Sequence, residues 1–339
     1  MALWTDIITP AELTGYARES LAAYEQRKGT LAQFLPNREV ADIVARFVAG
    51  QYGLVDEARY RAYDAEPEIG KRQPGKRVSI ELPAVGQNIP VSEYLQLRTR
   101  NATDLDVQNQ ILRDTETVVQ AVADRTERMR GTVLTTGKAT IDQPNFKTED
   151  DFQRDASHTV TAGTLWNDPA ADPIGYLETL QDLYVTDTGD EPGAVLMSRR
   201  AFRAMQANAK LATLLVSGAT RQATDSDVRA LVSGAGLPDI VIYDRRTSAG
   251  RVIPDDRVFL LPAPVAVNDW QGTQLGATFW GQTLTSVDPD FGIEPSEQPG
   301  IVVGVYRNEK PPMIAEVISD AIALPVLANA NLSIAAKVL

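Results

Sequence analysis

The 339-residue sequence predicts an α+β fold built around one long helix. Three observations carry that expectation. Apolar residues recur at helical spacing from Asp104 to Thr136, two-residue alternation marks extended segments on either side of that span, and short apolar runs alternate with helical patterns between residues 174 and 261.

In chain order, Leu13, Tyr16, Ala17, Leu21 and Tyr24 fall three and four residues apart between Pro10 and Arg27, predicting a short amphipathic helix that ends near Gly29. The next apolar stretch, Leu31 to Phe47, is broken by Pro36-Asn37. Together these segments read either as an arm seeking a partner's surface or as a terminal helix packed on its own domain. From Arg59 to Pro90 the alternation of Tyr60, Ala62 and Asp64, and of Val78, Ile80 and Leu82, predicts a long β-hairpin. Its turn, Gly70 to Arg77, combines Gly and Pro with four cations, Lys71, Arg72, Lys76 and Arg77. This tip is either a solvated basic loop or an electrostatic contact.

Thr103 is the candidate cap of the long helix, with Asp106 three residues on. Leu105, Ile111, Leu112, Val118, Val119, Val122, Met129 and Val133 form its stripe, and Gly137 is a natural stop. At about 1.5 Å per residue, such a helix is about 50 Å long, the length of a spine rather than a packing unit. Gly131 inside it costs about 1 kcal/mol relative to alanine and reads as a bend or an earlier end. Beyond it come a short strand at Lys138–Asp142 and a polar loop. Helices are expected at Ile174–Leu183, after Ser198 and at Ser226–Ser233, and strands at Ala194–Met197, Ile240–Tyr243 and Arg257–Leu261. Two further strands flank Arg307–Pro312, and Ala323–Leu327 continues extended.

Composition narrows the function. With 45 acidic against 33 basic residues the net charge is −12, which opposes sequence-independent nucleic-acid binding. Cysteine is absent, so disulfides and thiolate metal sites are excluded. No apolar run approaches the roughly 18 residues of a membrane span, and the start lacks a basic flank before an apolar stretch, so a soluble chain outside the secretory route is expected. His158 is the single histidine and has no nucleophile elbow around it, so a structural role is expected. Carboxylate groups such as Glu149-Asp150-Asp151, Asp225 with Asp227, and Asp255-Asp256 fit turns and surface better than acid–base catalysis. Gly234-Ala235-Gly236-Leu237-Pro238 lacks the third glycine of a dinucleotide loop and reads as a helix-to-strand turn. No enzyme, cofactor or metal is expected.

The order of parts, together with Val91-Ser92-Glu93-Tyr94-Leu95-Gln96-Leu97-Arg98, Leu134-Thr135-Thr136-Gly137-Lys138, Asp151-Phe152-Gln153-Arg154, Leu165 to Ile174 and Pro325 to Asn331, resembles the Hong Kong 97-like fold of tailed-bacteriophage major capsid proteins, most closely the lambda-type family. That resemblance implies an N-terminal arm at 1–50, an extended loop at 51–92, a peripheral domain with the spine helix at 93–164, an axial α/β domain at 165–300, and returning strands at 301–339. It implies a shell subunit without catalytic residues that assembles in the bacterial cytoplasm into the virion capsid. The partners it implies are copies of the chain in hexamers and pentamers, a scaffolding protein in trans, a portal, a decoration protein and, by mere proximity, packaged DNA. No Lys–Asn cross-link is predicted. Within that scheme Lys71, Arg72, Lys76 and Arg77 are expected to meet an acidic surface of the adjacent subunit. The stripe of Leu13, Tyr16, Leu21 and Tyr24 is expected to pack on another. The alternatives are an encapsulin-like shell holding a cargo enzyme, and a soluble hydrolase using acidic residues.

Overall fold

The computed structural model describes residues 2–49, 76–98, 104–144, 146–211 and 223–339. A short strand β1 (Ala2–Leu3) precedes α1 (Pro10–Lys28), which is entered through a capping box in which Thr9 and Glu12 satisfy each other's backbone amides. A single 3-10 turn at Leu31–Gln33 leads to β2 (Asn37–Glu39), and β3 (Val44–Ala49) follows. After residue 75 come β4 (Lys76–Glu81), β5 (Ala84–Val91) and the short helix α2 (Glu93–Arg98).

The spine helix α3 runs from Asp104 to Thr136, the span the apolar spacing predicts, and stops at Gly137, whose φ of +72° only glycine adopts readily. The candidate cap Thr103 lies outside the described residues. Gly131 does not end the helix. A Cβ built on it would lie 2.2 Å from the Val252 carbonyl oxygen, so the residue is glycine because another segment's backbone passes against the helix there.

Beyond the spine, β6 (Lys138–Gln143) turns back into β7 (Phe146–Asp151), where a polar loop was expected. The acidic sequence of β7 is a poor strand former on its own, but Lys138 lies 3.1 Å from Glu149 and 3.0 Å from Asp151 across the pair, offsetting its charge. Next come β8 (Thr159–Thr161), α4 (Pro173–Thr188), β9 (Ala194–Met197), α5 (Arg199–Ala207, capped by Ser198), α6 (Asp225–Gly234) and β10 (Asp239–Ile242). A small pair, β11 (Arg246–Thr247) and β12 (Gly250–Arg251), precedes β13 (Arg257–Leu261) and β14 (Gly276–Trp280). A one-turn helix at Leu284–Val287 separates these from β15 (Val302–Arg307), β16 (Ala315–Leu327) and β17 (Ile334–Lys337).

Two sheets result. The larger has the order β1-β15-β16-β14-β2, with β5 also paired to β16. The thirteen-residue β16 is long enough to pair with β15 and β5 along its first part and with β14 along its last. The second sheet, β10-β9-β13-β17-β8, has α4, α5 and α6 in its connections, and its strands β9 and β13 are almost wholly buried. An apolar core centred on this second sheet extends to the C-terminal part of α3, and a second core lies between α1, α3 and the larger sheet.

Three strand pairings bear on the expected layout. β4 pairs with β3 (Val44–Ala49), and the strand expected at Tyr60–Asp64 lies outside the described residues. β5 belongs to the larger sheet rather than to an extended loop reaching residue 92. β14, inside the 165–300 span assigned to the axial domain, also joins the larger sheet through β16 and β2. Periodicity shows that a segment is extended, but its partner is chosen by side-chain packing across the sheet, which sequence spacing does not reveal.

Candidate assembly surfaces

The catalytic candidates resolve into structural roles. His158 is fully buried, with Nε2 2.8 Å from a carboxylate oxygen of Asp187 at the end of α4. Asp225 pairs with Arg229, Asp227 accepts from the Thr224 amide as a cap, Asp255 pairs with Arg200 and Arg251, and Asp256 lies against Lys337. Gly236, at φ +73°, forms the turn between α6 and β10. Among the described residues no group of three or more His, Cys, Asp or Glu could hold a metal, and no helix is long and apolar enough to cross a membrane.

Of the residues expected at subunit contacts, the α1 stripe packs against its own chain, with Tyr16 and Leu21 left partly exposed. Leu13 is buried with Ala17 against Ile111, Val118 and Val122 of α3 and Val303 of β15, and Leu21 packs beside them. Tyr16 donates to Glu116 at 2.5 Å and Tyr24 to Asp124 at 3.1 Å, both acceptors lying on α3. The apolar side that spacing detects was completed by the spine, because α3 presents both apolar residues and carboxylates at matching intervals. Lys76 and Arg77 are exposed on β4 opposite Ala49 and Val48, and their side chains form no ion pair with a described residue. Lys71 and Arg72 lie outside the described residues.

Sequence reasoning missed the junction that holds arm, spine and both sheets together. Arg130 of α3 is completely buried. Its Nε donates to Thr278 at 2.9 Å, one terminal nitrogen to Glu25, Glu127 and Thr30 at 2.9, 2.9 and 3.1 Å, and the other to Asn37 at 2.6 Å. Glu127 in turn accepts from the Leu31 amide at 2.7 Å and from the Tyr243 hydroxyl. Arg245 donates to Asp124 at 3.0 Å and to the Gly29 carbonyl at 2.9 Å. Burial alone lowers the Arg130 pKa, but Glu25 and Glu127 outweigh it and hold the guanidinium above its usual value. The available signal was Glu127 and Arg130 on the apolar side of an amphipathic helix, where unpaired charge is not tolerated.

Three phenols lock this region to carboxylates, and all three titrate above the ordinary tyrosine value. Hydrogen bonding to Glu116, with burial, pushes Tyr16 up to about 12. Burial first, then Asp124, raises Tyr24, and burial first, then Glu127, raises Tyr243. A folded-state pKa above the unfolded value means that the stabilisation is complete below about pH 10 and is lost as pH rises through the folded value. For Tyr16 that window is about pH 10 to 12. Denaturant unfolding across it should show stability falling, and Tyr16→Phe should flatten part of the slope; an unchanged slope would remove Tyr16 from the linkage.

The β3–β4 ribbon is a separate two-stranded sheet among the described residues. At its base Ala45 and Ile80 are buried and the Phe47 ring stands 6.2 Å from Phe279, whereas Ile43 and Val48 are exposed. Residues 19–273, the greater part of the chain, match the family model of phage major capsid protein E. The chain belongs to that family. The fold agrees with solved structures: a phage-related protein from Bordetella bronchiseptica RB50 (TM-score 0.60, 18 % identity, 99 % of this chain and 98 % of that one) and a putative prophage capsid protein from E. coli CFT073 (0.58, 16 %, 95 % and 98 %). A virus-like particle from Pyrococcus furiosus follows at 0.49 and 11 %, over 95 % of this chain and 98 % of that one. No curated protein matches by sequence.

A phage major capsid protein is the structural subunit of the icosahedral head, and self-association is its activity. The fold is Hong Kong 97-like. The family model names a phage capsid protein, which favours the head over a cargo-holding compartment. For a subunit of this kind the functional site is the set of surfaces it offers to copies of itself, and the Arg130 junction fixes those surfaces relative to one another.

Proposed function

We propose that copies of this phage major capsid protein associate as hexamers and pentamers, in the bacterial cytoplasm, into a head around double-stranded DNA. A scaffolding protein in trans, a portal and a decoration protein are its further partners. The observation supporting this reading is the β3–β4 ribbon: among the described residues its two strands pair only with each other, Ala45 and Ile80 anchor it in the core, and Lys76 and Arg77 are exposed on it. In a chain of net charge −12, four cations close together in sequence, Lys71, Arg72, Lys76 and Arg77, are complementary to the remaining surface of an identical neighbour. Exposed ion pairs contribute only about 0–1 kcal/mol each, so the basic end sets orientation and encounter rate while apolar burial supplies the affinity. The same net charge keeps packaged DNA near the wall without binding it tightly.

Changing all four cations to glutamate should slow shell formation and invert its dependence on salt, since salt then screens a repulsion, read by light scattering and electron microscopy of purified subunits. Assembly with unaltered rate and salt dependence would remove the basic end from the contact.

A further inference from the structure

A groove runs between α3, the first half of β5 and the tip of the β6–β7 hairpin. Its apolar walls include Met129, Ile141 and Leu324, and Phe146 stands at its mouth, 48 % exposed. Arg125 projects from the spine helix into this groove and makes no hydrogen bond or ion pair with any described residue. No acidic side chain lines the groove, although the protein is strongly acidic. Burial, and then the neighbouring Arg128, lower the Arg125 pKa, so its positive charge is held at a cost that nothing nearby offsets. An anion seated beside apolar groups would complete the site.

The complementary feature is α2. Glu93, Tyr94 and Leu97 share one face of this helix by their three- and four-residue spacing. Tyr94 is 74 % and Leu97 59 % exposed, and Glu93 is unpaired among the described residues. Gln96 donates to the Val91 and Met313 carbonyls at 2.9 and 2.7 Å, fixing the helix to the end of the larger sheet. This knob cannot reach the groove of its own chain. Both lie along β5, the groove near Val85 and the knob after Val91, and eight extended residues from Val85 to Glu93 span roughly 26 Å.

We infer that α2 of one subunit docks in the Arg125 groove of a second copy, with Glu93 meeting Arg125 while Tyr94 and Leu97 cover Met129, Ile141 and Phe146. Groove and knob are different patches, so the contact is head-to-flank and leaves one subunit of a pair with an open groove and the other with an open knob, which is how a closed ring or lattice grows. The inference rests on the capsid-subunit reading and adds to it a named pair of surfaces. The ion pair selects the register; the apolar cover supplies most of the attraction.

The test uses the absence of cysteine from the chain. Subunits carrying Tyr94→Cys are co-assembled with subunits carrying Gln143→Cys, a groove residue, and treated with a short bismaleimide. Covalent dimers are expected in mixed shells well above the level in shells of either variant alone. Separately, Arg125→Glu should slow assembly of the purified subunit about tenfold, and adding Glu93→Arg should restore the rate. Mixed shells that form but give no additional dimer would overturn the contact. So would unimpaired assembly of Arg125→Glu, which would assign the groove to a protein other than a copy of this chain. Failure of the unaltered protein to form shells even with a scaffolding protein supplied would instead count against the capsid-subunit reading itself.

Discussion

Replacing Arg130 with methionine is expected to cost about 3–5 kcal/mol and to leave little soluble, folded subunit. The side chain is fully buried, and its removal strands Glu25 in the interior and leaves buried Glu127 with only Arg245, 3.9 Å away, as a counter-ion. Breaking a buried ion group from one side costs that much because the remaining charge loses its counter-ion but not its burial. Against a total stability of about 5–15 kcal/mol the loss is severe. Lysine should not rescue it, since one ammonium cannot reproduce five donated bonds directed to Thr278, Glu25, Glu127, Thr30 and Asn37. Denaturant unfolding and soluble yield of Arg130→Met and Arg130→Lys check this; stabilities within 1 kcal/mol of the unaltered protein would show that the junction does not hold the arm.

Gly131→Ala should also destabilise, although exchanging glycine for alanine inside a helix ordinarily stabilises by about 1 kcal/mol. The new methyl would sit 2.2 Å from the Val252 carbonyl oxygen and 2.8 Å from Val252 Cγ1, so α3 and the segment at Val252 must separate. Overpacking of this kind costs about 1–3 kcal/mol and outweighs the propensity gain. Gly15→Ala in α1 is the matched control. Nothing lies within 4 Å of a Cβ there, and the substitution should stabilise by about 0.4–1 kcal/mol. Opposite signs at the two sites, measured by chemical denaturation, are the expected result; a stabilised Gly131→Ala would mean that Val252 yields without cost.

The sequence made α3 legible because its apolar stripe persists over a length that chance does not sustain, and it made β9, β13 and β15 legible because they are apolar runs with clear ends. It did not reveal β7, whose Phe-Lys-Thr-Glu-Asp-Asp composition becomes a strand only through pairing with β6. It did not reveal β14 or β17, whose Gly-Ala-Thr-Phe-Trp and Ile-Ala-Ala-Lys are short and are made extended by the strands on either side. The pairing of β3 with β4 was equally hidden, since alternation identifies a strand and not its neighbour. For the assembly surfaces, exposed Lys76 and Arg77 were readable from charge alone. The fate of Leu13, Tyr16, Leu21 and Tyr24 was not, because an amphipathic helix looks the same whether its own chain or a copy covers it. Arg125 gave no signal in sequence: its importance comes from having no partner, which only the surroundings define.

The two strands that come last in the chain are interior members of their sheets: β16 lies between β15, β5 and β14, and β17 lies between β13 and β8. Neither sheet can therefore be completed without residues 315–337, so these strands act as keystones of the subunit rather than as trimmings on its edges.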